Sequence, residues 1–76
     1  MRHYQKVQSK KFLAVYHKTK NFIVVEDNNK FNVGDIVVLD EFNQQGDATG
    51  KAISRTIHYI DRDTDGIEKG YCVLGW

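Results

Sequence analysis

A chain of 76 residues, 41% of them hydrophobic, makes one small domain over residues 1–76, because at this length only about 60% of the unfolded chain's surface is buried on folding. That hydrophobic content and a net charge of +1 exclude disorder, and the longest apolar runs, Phe22–Val25 and Ile36–Leu39, are four residues each, far short of the roughly 18 that a membrane span needs. The single cysteine, Cys72, excludes an internal disulfide, and together with three scattered histidines it offers no zinc-ligand spacing, so no metal or cofactor is expected.

The opening residues hold no apolar stretch of the secretory kind, and a cytoplasmic monomer without membrane contact is expected. Tyr4–Gln8 predicts a short extended segment. Ser9 then suits a helix cap, and Phe12, Val15 and Tyr16 fall at i, i+3 and i+4 to form one apolar stripe. This helix of roughly nine residues ends near His17–Lys18 and is too short to persist without packing on a sheet. Asn21–Glu26 and Asp35–Phe42 are β-branched, nearly continuous apolar runs, the pattern of strands covered on both sides.

Asp27–Lys30 predicts a polar turn and Val33–Gly34–Asp35 a tight entry into the second run. Asn43–Gly50, with two glycines and two glutamines, reads as a loop. Along Lys51–Ile60 the residues alternate, placing Ile53, Arg55, Ile57 and Tyr59 on one face. Asp61–Asp65 is a second acidic turn, and Gly70–Trp76 a last strand. A mainly β fold with one short helix and about five strands is predicted: closing those strands into a small barrel removes the open edges, and an open sheet with the helix on one face is the alternative.

Charge is distributed unevenly along the chain. Arg2, Lys6, Lys10, Lys11, Lys18 and Lys20 meet no acid before Glu26, and the remaining five basic residues face all ten acids, which leaves that part at −5.

The segment Phe31–Val33–Gly34–Asp35–Ile36–Val37–Val38–Leu39 resembles the F-x-V-G-D-x-L-x-L signature of the ASCH domain superfamily, whose fold is a PUA-like barrel. His3 and Lys6 fit the opening H-x-L-K of a short bacterial and phage branch, and Thr49–Gly50 fits its T-G turn. Arg55–Thr56–Ile57 with Tyr59–Ile60 fits its R-x-V-x-Y-I strand, and Gly70–Tyr71–Cys72–Val73–Leu74 its closing G-Y-x-V-L. The resemblance implies a PUA-like barrel and a role connected with RNA or nucleotides. Where that branch has G-K-K-T-F-E-I-R, this chain has Lys18–Thr19–Lys20–Asn21–Phe22–Ile23–Val24–Val25. Ile23 thus replaces the glutamate, or the hydroxyl of hydrolytic relatives, and Val25 replaces the arginine. By strand parity both fall on one face, a degenerate pocket wall that cannot transfer a proton, so a non-catalytic protein is expected.

A nucleic-acid-binding module is the first expectation, with Lys6, Lys10, Lys11, Lys18, Lys20 and Arg55 meeting phosphates and Tyr4, Tyr16 or Trp76 stacking on bases. Against it stands a plain solvated helix over core aromatics. The second is an accessory module of phage or mobile-element type that docks a protein partner on Ile23 and Val25, against which stands simple core filling. The third is a residual nucleotide or nucleoside pocket around Lys20 and Arg55, against which stands an internal anionic partner for Arg55 among Asp35, Asp40 and Glu41.

Overall fold

Over residues 1–27, 30–63 and 65–76, which the computed structural model describes, the chain runs β1 (Arg2–Gln8), α1 (Ser9–Tyr16), β2 (Phe22–Glu26), β3 (Ile36–Phe42), β4 (Ala48–Thr56), β5 (Tyr59–Asp61) and β6 (Tyr71–Gly75). The fold is mainly β with one short helix. Its strands form two three-stranded sheets, ordered β1-β3-β4 and β2-β6-β5. In the first, β1 lies parallel to β3 from Arg2↔Ile36 to Gln8↔Phe42, which requires the long crossover through α1 and β2. All pairs in the second are antiparallel. Among the described residues no ladder joins the two sheets into the closed barrel that the sequence suggested, and β1 and β2 remain as edges.

The sheets share one core instead. Phe12 and Val15 of the helix meet Val37 and Leu39 of the first sheet and Ile23, Val25, Cys72 and Leu74 of the second, with Phe31 and Ile57. β3 is covered on both faces as expected, since Val38 is buried as well as Val37 and Leu39. β2 is not. Ile23 and Val25 face the core while Phe22 and Val24, on the outer face of the second sheet, are exposed. Cys72 is fully buried, and burial, followed by the charge of Asp27, pushes its thiol up, which makes it an unreactive core residue.

The alternating run Lys51–Ile60 forms two strands rather than one. At Ile57 the chain leaves the first sheet: the Gly34 N–H donates to the Ile57 carbonyl, the Ile57 N–H donates to Asp35, and the His58 N–H donates to Gly75 of the other sheet. Tyr59 therefore faces outward and Ile60 inward, opposite to the parity predicted from Ile57. The loop before β4 is also shorter than Asn43–Gly50. The Asn43 side-chain oxygen accepts from the Gln45 and Asp47 amides at 3.0 Å, closing the turn early enough for Thr49 and Gly50 to join the strand. The polar turns expected at Asp27–Lys30 and Asp61–Asp65 lie partly outside the described residues.

Ser9 is the first helical residue rather than the cap, and its hydroxyl donates to the Phe42 carbonyl at 3.3 Å. The helix closes with more order at its other end. Lys18 N–H donates to Val15 and Thr19 N–H to Ala14, both at 3.0 Å, with Lys18 at φ 63. This is the left-handed closure that glycine usually supplies. Lys18→Gly is expected to raise the urea midpoint by about 1 kcal/mol equivalent, from relief of the left-handed strain less the entropy glycine adds to the unfolded chain. A midpoint that falls would contradict this.

β1 is held at its start by a buried contact. His3 Nε2 lies 2.8 Å from Asp35 Oδ2, and the His3 ring packs on Phe31 at 4.5 Å between centroids. The His3 hydrogen bond above all, with the amine of Met1 and the amide of Asn32, holds the Asp35 carboxyl well below its ordinary 3.8, at about 2. A carboxyl depressed on folding adds stability that is complete above its unfolded value and is lost as pH falls to the folded one. The stability gap between wild type and Asp35→Asn, followed by urea unfolding, should therefore narrow between about pH 4 and 2. A gap constant over that range would show that Asp35 is held by neutral contacts alone.

Candidate functional site

The gap between the two sheets is a cleft of about 690 Å³, bounded by Tyr4–Gln8 of β1 and Ile23–Glu26 of β2. Lys11 from the helix, Lys20 from two residues ahead of β2, and Tyr71 from β6 complete its lining. The two walls are the edge strands of their sheets, so the cleft exists because β1 and β2 do not pair.

Lysines dominate its charge. On β1 the alternation turns Tyr4, Lys6 and Gln8 outward, and the Lys6 ammonium lies 5.1 Å from the Phe42 ring, which fixes the long side chain beside the cleft. Lys20 follows the helix closure, where its own N–H donates to Ala14 at 3.1 Å, and its ammonium sits 5.1 Å from the Phe22 ring. Partial burial, and then the charge of Lys11, pull the Lys20 ammonium below its ordinary value. The fold thus holds two cations close enough to repel each other, and an anion placed between them relieves that repulsion.

The other basic candidates lie elsewhere. Lys10 and Lys18 do not line the cleft. Arg55 donates to the Ser54 carbonyl at 2.9 Å and reaches the Val15 carbonyl at 3.4 Å, at the end of α1. Its inward guanidinium is thus satisfied by a helix C-terminus and not by Asp35, Asp40 or Glu41. Of the three aromatics, only Tyr4 lines the cleft. Tyr16 stacks on Phe12 and meets His17 edge-on, and Trp76 packs against the core.

Ile23 and Val25, 3% and 7% exposed, form the floor where the cleft meets the core. Their cross-strand partners are Leu74 and Cys72, both fully buried. This pair fills the core and leaves the cleft floor aliphatic.

Two residues of the cleft escaped the sequence reading. Glu26 and Tyr71 are cross-strand partners, the phenol donating to Glu26 at a long 3.4 Å, and the charge of Glu26, with burial and Glu68, raises the Tyr71 phenol. Only the outward parity of Glu26 signalled them. They stand at the end of β2 remote from Lys20, since Phe22 to Glu26 alone spans about 13 Å of strand. Lys20 and Glu26 thus mark opposite ends of the β2 wall. Beside the cleft, on the far side of Tyr4 and Lys6, a smaller hollow of about 410 Å³ is bordered by Asp40, Glu41 and Lys51, and the buried Glu41 carboxylate accepts from the Thr49 hydroxyl at 2.7 Å.

The model of one protein family, described as a domain of unknown function (DUF3850), matches residues 2–76. No curated protein matches the chain.

Proposed function

The chain belongs to the DUF3850 family over residues 2–76, and from the geometry of its cleft we propose that it is a non-catalytic module that binds single-stranded nucleic acid, RNA first, between its two sheets. The observation that carries this reading is the convergence of Lys6, Lys11, Lys20 and Tyr4 on one open cleft. Three ammonium groups there are available to successive phosphates of one strand, and Tyr4 offers an exposed ring for a base.

Binding rather than catalysis is favoured by the cleft floor, because Ile23 and Val25 carry no group that moves a proton. Glu26 and Tyr71, which do, are far along the strand from Lys20. The resemblance to the ASCH superfamily supports a role with RNA, although fold analogy weighs less than the site itself. On this reading the fold is an opened relative of the PUA-like barrel, with the opening used as the binding groove.

Three phosphate contacts give a slope of log affinity against log salt of about −2 for a single strand. A fluorescence-polarisation titration with a mixed-sequence RNA oligonucleotide over a series of salt concentrations measures it. No binding at low salt, or affinity independent of salt, would remove the proposal.

A further inference from the structure

The outer face of the second sheet carries aromatic residues that the core does not use. Phe22 and Tyr59 are 41% and 50% exposed, and both pair with Gly75, one from each side, so they stand in one row across the three strands. Gly75 is what lets them approach: a Cβ there would fall inside the Tyr59 ring, which lies across the middle strand toward Phe22. The Tyr59 ring thus reaches over the middle strand, which Phe22 borders from the other side. Val24, Val73 and Asp61 form the next row of the same face, and Glu26 lies in the row beyond.

Charge fixes which end of this face suits an anionic chain. Lys20 lines the cleft and also sits over the Phe22 ring, so the cation at the cleft mouth is the one at the edge of the aromatic row. The opposite end carries the Glu26 carboxylate, so the Lys20 end is the one that favours phosphate. We propose that the Phe22–Tyr59 end of the sheet is a stacking platform for two successive bases of the strand whose phosphates the cleft lysines hold. This inference rests on the cleft reading given above. Exposed rings on a sheet face take bases without regard to their identity, since every base has a π face, and Lys20 joins backbone contact to base contact at one residue.

The test compares labelled decathymidylate with an abasic strand of equal length, titrated by fluorescence polarisation against wild type, Phe22→Leu and Tyr59→Leu. Leucine keeps an apolar side chain and removes the π face. Wild type should bind the intact strand about tenfold or more tighter than the abasic one, and each variant should lose most of that preference with its salt slope unchanged. Equal binding of both strands, with the salt slope retained, overturns the platform and leaves the cleft in place. Binding of neither strand overturns both. Leucine variants that bind DNA as wild type does, but sediment differently because self-association is altered, mark the face as a protein-docking surface and also overturn the platform. Circular dichroism confirms the fold of each variant, and Phe22→Leu alone decides the matter if Tyr59→Leu does not fold.

Discussion

Glutamate at position 23 is expected to unfold the domain at room temperature, and arginine at position 25 to bring it close to unfolding. Ile23 and Val25 belong to the shared core, and their partners across the ladder are fully buried. Losing either apolar side chain forfeits about 1.5–3 kcal/mol of burial, and an unpaired charge there adds a penalty of several kcal/mol. A domain of 76 residues has only about 4–11 kcal/mol in total at the usual stability per residue. Ile23→Val, which removes one methylene, should cost about 1 kcal/mol and leave the fold intact. Urea unfolding followed by circular dichroism measures all three. An Ile23→Glu protein with a midpoint near wild type would place that side chain in the cleft rather than the core, and the case for an aliphatic, non-catalytic floor would then fail.

Replacing Lys6, Lys11 and Lys20 together by alanine should weaken binding of a single-stranded oligonucleotide about a hundredfold in roughly 0.1 M salt, because each lysine that neutralises a phosphate strengthens binding about fivefold there. The slope against salt should flatten from about −2 toward zero. Lys10→Ala with Lys18→Ala removes charge from the same half of the sequence but from outside the cleft, and should change affinity by less than about fivefold. The triple variant should fold at least as well as wild type, since it removes an ammonium at position 20 that partial burial and the charge of Lys11 both disfavour. Equal weakening by the two sets would mean a diffuse attraction to a basic surface and no defined groove.

The elements of the fold were legible where local chemistry decides them. The i, i+3, i+4 stripe located α1, and the β-branched runs located β2 and β3. The crossing at Ile57 was not legible, because apolar alternation continues unbroken through a residue whose backbone bonds pass from one sheet to the other. Barrel closure was also invisible, for it depends on whether β1 and β2 approach within pairing distance, which no residue type encodes. Arg55 shows the same limit: its inward position was readable, but its partner, the end of a helix forty residues earlier in the chain, was not.

For the site, the excess of positive charge before Glu26 was legible, and its division was not. Lys6, Lys11 and Lys20 meet because β1, α1 and the turn at Lys18 fold over one another, whereas Lys10 sits one position round the helix from Lys11 and faces elsewhere. The exposed row on the second sheet was hidden by the parity change at Ile57, which had assigned Tyr59 to the covered face. Lys18, a candidate for its charge, is better understood through its backbone, as the left-handed residue that ends the helix.

The most direct test of the central claim, that the groove between the two sheet edges is where an anionic strand lies, is a titration of ¹⁵N-labelled protein with a short single-stranded RNA, followed through its amide resonances. The cleft predicts the largest shifts along Gln5–Gln8 and Ile23–Glu26, with smaller ones near Lys11 and Lys20. Shifts clustered instead on Lys10, Lys18 and Arg55, or spread evenly over every basic residue, would contradict it.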